Sequence, residues 1–226
     1  MQKSMIRLMS IADVITLTNT IFGFLAIIMV FLNEIRFSFS FILLALLADG
    51  LDGIVARKTR KGELGEYFEA MADMTSLGIA PAIFVYAIYH SAVSCCIYYH
   101  SYLIIALVVF LSMSVIRLAS FHIMKDKDFF VGLPASASTI IIITLAFFEI
   151  EILYILLVIV IVSLVMVSSV RFPKPGFKID AIAALLIIFT LILEKSYNGI
   201  APIVLLLTLI VYVIGGPIYL WKIKKY

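Results

Sequence analysis

Residues 37–57 read FSFSFILLALLADGLDGIVAR, an apolar run of bilayer-spanning length that carries two aspartates near its end. A transmembrane helix needs about 20 mainly apolar residues, which this stretch supplies. Its two acids are Asp49 and Asp52, and Glu69 and Asp73 open the next apolar run. A charged group at membrane depth is costly unless it is paired or bound to a cation. These four residues, called the acidic quartet below, therefore mark the candidate functional site.

The composition indicates a membrane protein from end to end. Of 226 residues, 64% are hydrophobic and 14% are charged, and the mean hydropathy is +1.20. A soluble domain is apolar in only about half of its residues, and the recurring apolar runs leave no room for one here. We therefore expect a single all-α, polytopic membrane domain over residues 1–226. It would be a bundle of about eight transmembrane helices with the active site between the second and third.

The predicted spans and the basic residues together predict the topology. The spans are residues 14–32, 37–55, 68–89, 102–124, 130–148, 152–170, 179–193 and 200–220. With both termini in the cytoplasm, all 17 Lys and Arg residues except Arg36 and Lys195 lie on the cytoplasmic side. This bias follows the positive-inside rule and also places the acidic quartet at the cytoplasmic face. Residues 1–10 are either an interfacial helix or a flexible basic tail.

The spacing of the acids suggests a metal site. Positions three or four apart share a helix face, so Asp49 lies beside Asp52 and Glu69 beside Asp73. Two such helices facing each other would bring four carboxyl groups together, which requires protonation or a bound cation at low dielectric. Oxygen ligands without Cys or His suit a hard divalent ion, Mg²⁺ or Mn²⁺, and four acids could hold two ions.

The residues between the acids indicate a phosphate-containing ligand. Gly50, Gly53 and Ala56 leave the helix flank bare, so that a ligand can approach the backbone. Arg57 offers a cationic fork for phosphate oxygens. Small residues at this spacing alone favour helix packing, but the four acids favour a ligand site. A cation transporter would also keep such acids, yet the second half of the chain contains no second copy of the acidic segment, which favours an enzyme.

The pattern Asp-x2-Asp-Gly-x2-Ala-Arg, then Gly-x3-acid-x3-Asp, resembles the signature of the CDP-alcohol phosphotransferase family. Its matching positions are Asp49, Asp52, Gly53, Ala56, Arg57, Gly65, Glu69 and Asp73. The chain departs from the family pattern in the spacer 58–64, which is one residue short, and at Glu69, where aspartate is usual. The first span, with Thr18, Asn19 and Gly23, resembles the opening helix of the family.

Further segments resemble the serine branch of that family, the phosphatidylserine and archaetidylserine synthases. Residues 115–121 (VIRLASF) and 130–134 (FVGLP) are similar to the Arg-Leu-Ala-x-Phe and Phe-x-Gly-Leu-Pro segments of the branch. Residues 169–174 (SVRFPK) are similar to its basic loop. The resemblance covers most of residues 11–174.

The resemblance implies transfer of a phosphatidyl-type group from a CDP-lipid, CDP-diacylglycerol or CDP-archaeol, to the hydroxyl of L-serine, with release of CMP. The family's metal ligands correspond to Asp49, Asp52, Glu69 and Asp73. Its CDP-binding positions correspond to Gly53, Ala56, Arg57 and Gly65. Asp73 also matches the general base. The expected cofactor is Mg²⁺ or Mn²⁺, with two ions bound.

Arg117 is our candidate for acceptor recognition, because a guanidinium can pair with the serine carboxylate through two hydrogen bonds. The alternative is an interfacial arginine whose side chain reaches water. Glycerol phosphate or an inositol phosphate remains an alternative acceptor for the same donor, although a phosphate would call for a larger basic cluster. Family relatives are typically homodimers, so we expect a homodimer among membrane lipids and no nucleic-acid partner. The sequence is compatible with either acyl-ester or archaeal ether tails on the donor lipid.

Overall fold

The computed structural model describes residues 9–58, 65–94, 96–121, 123–124, 126, 129–193 and 199–223, with the side chains at 54, 56–58, 177–178 and 223 left out. Its helices are α1 Ile11–Phe31, α2 Ile35–Lys58, α3 Gly65–Asp73, α4 Ala80–Val93, α5 Ile97–Phe121, α6 Ala135–Phe147, α7 Ile152–Met166, α8 Phe177–Leu193 and α9 Ile200–Ile223. A π-helical segment, Met74–Ile79, joins α3 to α4. Each of the eight predicted spans contains helix, and most of the prediction for residues 1–10 lies outside the described residues.

The helices have the character of membrane spans. Within the described residues, four are long and apolar enough to cross a bilayer: Ile11–Phe31, Gly65–Val93, Ile97–Phe121 and Ile200–Lys222. Three shorter apolar helices are Ala135–Phe147, Ile152–Met166 and Ile179–Leu193. Together with the composition, these helices indicate a helical membrane protein, while the number of crossings stays a prediction. The chain divides into two compact units, Met1–Phe84 and Val85–Tyr226.

In the first unit, α1 packs against α2, α3 and the π-helical segment. Helix α1 begins with a capping box, in which Ser10 Oγ accepts from the backbone N–H of Asp13 and Asp13 Oδ2 accepts from that of Ser10. Such a box satisfies two backbone donors and fixes where the helix starts. Further along α1, a Cβ added at Gly23 would lie 2.8 Å from the Cα of Ser76 in the π-helical segment. This glycine therefore allows the two backbones to touch.

In the second unit, α5 packs on α7, α6 packs on α7 and α9, and α8 packs on α9. Two short strands, β1 Phe129–Val131 and β2 Arg171–Pro173, pair antiparallel with Phe130 opposite Phe172. The prediction of an all-α chain is therefore wrong for these residues. The pairing also joins the FVGLP and SVRFPK segments, for which the sequence alone predicted no contact.

The predicted fifth span, residues 130–148, begins too early. Gly132 has a φ of 78° and Pro134 occupies the N-cap position, so the helix starts only at Ala135. Proline fits the start of a helix but not its interior, and a positive φ interrupts any helix. The predicted sixth span is too long for a related reason. Its helix ends at Met166, and the following residues turn back so that Val170 O accepts from the N–H of Gly132 at 2.7 Å.

Candidate active site

The structure brings the acidic quartet together in the first unit. Asp49 and Asp52 lie one turn apart on α2, and Glu69 and Asp73 lie one turn apart on α3. The Asp73 carboxyl is close enough to the other three for electrostatic interaction with each. Asp52 and Asp73 are 6% and 8% exposed, whereas Asp49 and Glu69 are half-buried. The quartet is thus a group of interacting acids in which Asp52 and Asp73 are buried and Asp49 and Glu69 are more open, and the roles of its members stay predictions.

Helix α1 supplies two polar contacts to the quartet. The Thr16 hydroxyl donates to Asp52 Oδ2 at 2.6 Å, and the Asn19 side-chain amide donates to Asp73 Oδ1 at 3.0 Å. Both α1 residues are buried, Asn19 completely. Each bond holds one oxygen of a quartet carboxylate.

These contacts were not predicted from the sequence. Thr18 and Asn19 entered only together, as part of a resemblance, and the Thr18 hydroxyl donates to Val14 O of its own helix. One signal was available: Asp13, Thr16 and Asn19 recur every three residues and so form a polar stripe along one face of a mainly apolar helix. All three are buried.

Gly65 has a packing neighbour. A Cβ added there would lie 3.2 Å from Asp13 Oδ1, tighter than ordinary van der Waals contact. Asp13 is itself 3% exposed and caps α1, so it is a buried acid outside the quartet. Close packing of α3 on the start of α1 thus explains Gly65 without a ligand, and its contact with CDP stays a prediction.

The flank of α2 beside the quartet is open. A Cβ added at Gly50 or Gly53 would meet nothing within 4 Å among the described residues, and both glycines are exposed. This argues against the alternative that they serve helix packing within the described part of the chain. Ala56 and Arg57 continue α2, but their side chains lie outside the described residues. Their contacts with CDP stay predictions.

The donor chemistry of the quartet fits a hard divalent ion, because all of its ligand atoms are carboxylate oxygens. Within the described residues, however, no group of three or more His, Cys, Asp or Glu side chains is arranged as a metal ligand set. The chemistry of the acids, and not their present spacing, supports the metal prediction.

Arg117 lies in the second unit and is 7% exposed. Its Nε donates to Leu133 O at 3.3 Å, and its guanidinium carbon lies 5.3 Å from the centre of the Phe121 ring. Such burial disfavours the alternative of an interfacial arginine that reaches water. The contact also joins the VIRLASF segment to FVGLP. The terminal guanidinium nitrogens take no part in the Leu133 bond, and pairing of Arg117 with serine stays a prediction.

Basic side chains also stack on the first strand. The guanidinium carbon of Arg171 lies 4.7 Å from the centre of the Phe129 ring, and Lys174 Nζ lies 5.1 Å from that of Phe130. Lys174 Nζ also donates to Asp126 O. Cation–π contacts of this kind contribute about 0.5–1 kcal/mol at exposed sites. The basic loop that the sequence indicated is therefore tied to β1.

Comparison with known proteins agrees with the motifs. The sequence profile of the CDP-alcohol phosphatidyltransferase family matches residues 9–167. A CDP-diacylglycerol–serine O-phosphatidyltransferase of Methanocaldococcus jannaschii is 31% identical over 212 residues, covering 92% of this chain and 94% of the relative. An archaetidylserine synthase of Methanothermobacter thermautotrophicus is 29% identical over 181 residues, which cover 76% of this chain and 73% of the relative. A CDP-diacylglycerol–serine O-phosphatidyltransferase of Bacillus subtilis is 27% identical over 162 residues, which cover 70% of this chain and 87% of the relative.

The matched region contains the quartet, both α1 contacts and Arg117, and it ends before α8 and α9. The resemblance inferred from the motifs is confirmed, and an enzyme is favoured over a cation transporter. Members of this family generally use divalent metal ions. The chain belongs to the CDP-alcohol phosphatidyltransferase family of CDP-lipid phosphotransferases.

Proposed function

We propose that this protein transfers a phosphatidyl-type group from a CDP-lipid to the hydroxyl of L-serine and releases CMP. The observation that carries the proposal is the assembled acidic quartet in a chain whose relatives are named for serine transfer. The quartet would supply the base and the carboxylate oxygens for a divalent ion. The similarity to the relatives indicates the acceptor.

Asp73 is proposed as the general base. Its carboxylate takes the proton of the serine hydroxyl while the serine oxygen attacks the phosphorus that carries the lipid. The bond from that phosphorus to the bridging oxygen of CMP breaks, and CMP leaves with the bonding electrons. Asp73 suits this role because it is buried but still 8% exposed, and because its Oδ1 is held by Asn19.

The quartet is proposed to hold one or two divalent ions, Mg²⁺ or Mn²⁺. Asp49, Asp52 and Glu69 would be ligands, with Asp73 sharing an ion. A bound ion would neutralise negative charge on the transferring group and on the departing CMP. Glu69 extends one methylene farther than the usual aspartate, so its carboxyl can reach the site from a half-buried position.

The donor is proposed to lie along the open flank of α2. Gly53 presents bare backbone there, since a Cβ would meet no described atom within 4 Å. Ala56 and Gly65 would line the CDP group, and Arg57 would pair with its phosphates. The lipid tails would remain among apolar side chains, which do not distinguish ester-linked from ether-linked chains.

Arg117 is proposed to recognise the carboxylate of serine. A buried guanidinium is costly unless its hydrogen bonds are satisfied, and only Nε is used by the Leu133 carbonyl bond. A carboxylate can accept two parallel hydrogen bonds from such a group. Burial of Arg117 therefore supports a role in binding an anion.

We further propose that both termini and the active site lie on the cytoplasmic side and that the protein is a homodimer. The distribution of Lys and Arg along the chain supports the topology. Serine and CMP would then exchange with the cytosol, while the donor would reach the site by lateral diffusion in the bilayer.

The test is CMP release by the purified protein in detergent. CDP-diacylglycerol and CDP-archaeol are each combined with Mg²⁺ or Mn²⁺ and with serine, glycerol 3-phosphate or inositol 1-phosphate. We expect CMP release with serine that requires the divalent ion and is absent in Asp73→Asn. Release with glycerol 3-phosphate but not serine would overturn the acceptor. No release with any acceptor would overturn the proposed reaction.

A further inference from the structure

We propose that Asn19 is a positioning residue that orients the carboxylate of Asp73 toward the acceptor hydroxyl. Its side-chain amide would hold Oδ1 of Asp73 and so leave Oδ2 to take the proton. This inference rests on the proposed function, in which Asp73 is the base. It assigns to α1 a role in the reaction that the acid motif on α2 and α3 does not include.

Asn19 and Asp73 differ in burial, and this difference indicates that only Asp73 contacts the substrate. Asn19 has no exposed surface, whereas Asp73 is 8% exposed. The Asn19 amide nitrogen lies 3.0 Å from Asp73 Oδ1, a normal hydrogen-bond distance between side chains 54 positions apart in the sequence. A side chain without exposed surface does not touch a substrate that arrives from outside. Asn19 therefore acts through Asp73.

The other half of the Asn19 amide shows which contact the residue serves. Its Oδ1 is buried without a hydrogen-bond partner in the described part of the chain. A buried, unsatisfied carbonyl destabilises the folded state, so the amide contributes favourably through its N–H bond to the Asp73 carboxylate. That bond therefore accounts for an asparagine at this position.

The charges around Asp73 explain why a hydrogen-bond donor is needed beside its carboxylate. Asp73 is repelled by the neighbouring carboxyl groups of Asp49, Asp52 and Glu69. Repulsion alone would turn its side chain away from the place where the base must act. A hydrogen-bond donor on the α1 side stabilises one orientation of the carboxylate against that repulsion.

The backbone fixes the distance between Asn19 and Asp73. Gly23 follows Asn19 by one turn, and a Cβ there would lie 2.8 Å from the Cα of Ser76. Ser76 belongs to the π-helical segment that begins directly after Asp73. π-helical turns often occur at functional sites, and this one packs against α1 beside the base. The geometry therefore depends on backbone contact and not only on two mobile side chains.

The test compares Asn19→Leu and Asn19→Ala with the control Thr18→Leu. Thr18 neighbours Asn19 on α1, but its hydroxyl bonds to Val14 O and to no acid in the described structure. We measure kcat, the KM values of serine and CDP-lipid, and the thermal midpoint in detergent. Both Asn19 variants should lose about 10- to 100-fold in kcat, as is typical when a supporting hydrogen bond to a site carboxylate is removed. Both KM values should stay close to wild type, and Thr18→Leu should change neither kcat nor the midpoint. The Asn19 variants lose a buried hydrogen bond, so their midpoints should fall, but they should remain folded at the assay temperature.

Three kinetic results would overturn the proposal. The first is an unchanged kcat in both Asn19 variants. The second is a raised KM with unchanged kcat, which would make Asn19 a substrate contact. The third is a loss of folded protein at the assay temperature that accounts for the whole fall in kcat, which would make its role structural.

An NMR measurement that needs no turnover tests the contact between Asn19 and Asp73 independently of the proposed function. The side-chain amide resonances of Asn19 are assigned by their loss in Asn19→Ala, and their proton shifts are compared between the wild type and Asp73→Ala. We expect a clear upfield movement when the acceptor is removed, whereas unchanged shifts would overturn the contact. Failure to use serine would overturn only the acceptor assignment, because the kinetic comparison applies to whichever acceptor the wild-type protein uses.

Discussion

The hydroxyl of Thr16 donates a 2.6 Å hydrogen bond to Oδ2 of Asp52, although the two residues are 36 positions apart. The Thr16 hydroxyl oxygen also lies 3.1 Å from Ala12 O, but the single hydroxyl proton can be donated to only one of the two acceptors at a time. A bond to a charged acceptor is the stronger of the two, so the proton lies toward Asp52. Helix α1 is thereby tied to the predicted metal ligands as well as to the predicted base.

Thr16→Val keeps the shape of the side chain and removes this bond. We expect the Mn²⁺ concentration for half-maximal CMP release to rise about 10- to 100-fold, because the Asp52 carboxylate loses its orientation. Mn²⁺ binding without substrates, followed by electron paramagnetic resonance, should weaken in parallel. Thr18→Val is the matched control, since the Thr18 hydroxyl bonds only within α1 among the described residues. Equal ion requirements in the two variants would contradict the role of the bond.

Asp73→Asn removes the predicted base with little change in size. We expect turnover to fall by about 10²- to 10⁴-fold, the usual contribution of a general base, while CDP-lipid binding is largely kept. CMP release and equilibrium binding of the CDP-lipid are measured on the same preparation. Asp13→Asn is the control, because Asp13 is a buried acid outside the quartet that caps α1. Equal loss of binding and turnover in Asp73→Asn would instead give Asp73 a purely structural metal role.

Arg117→Lys keeps the charge but not the planar fork that can bind a carboxylate through two bonds. We expect the KM of serine to rise about tenfold or more, since hydrogen bonds to charged groups contribute about 1.5–3 kcal/mol. The KM of the CDP-lipid should change little. Arg171→Lys is the control, because Arg171 is exposed and stacks on Phe129. An unchanged KM for serine would remove Arg117 from acceptor recognition.

The positions of the helices could be predicted because the bilayer imposes length and hydropathy on every span. The pairing of the acids could be predicted too, since residues three or four apart on a helix share a face. The partners of those acids could not. Asn19 and Asp73 are 54 positions apart, and local sequence does not show which polar residue of α1 faces which acid.

The two strands and the π-helical segment also escaped prediction. β1 and β2 have three residues each, too few to show the alternating pattern of a strand. β1 overlaps the start of the predicted fifth span, and β2 lies in the segment that the sequence indicated as a basic loop. Their pairing depends on a backbone reversal at Gly132 and on partners about 40 residues away. Hydropathy carries no signal for the wider turn at Met74–Ile79 either, since that turn changes the backbone hydrogen bonding and not the apolar pattern.

Gly132→Ala tests whether the backbone reversal at Gly132 stabilises the second unit. Gly132 has a φ of 78°, where a side chain costs about 1–2 kcal/mol, and an added Cβ would also overlap the carbonyl of Met166. We therefore expect a clearly lower thermal midpoint in detergent. The KM of serine should rise as well, because the neighbouring Leu133 carbonyl holds Arg117. Gly176→Ala is the control, since its Cβ would meet no described atom within 4 Å, and equal midpoints in the two variants would contradict a structural role for the turn.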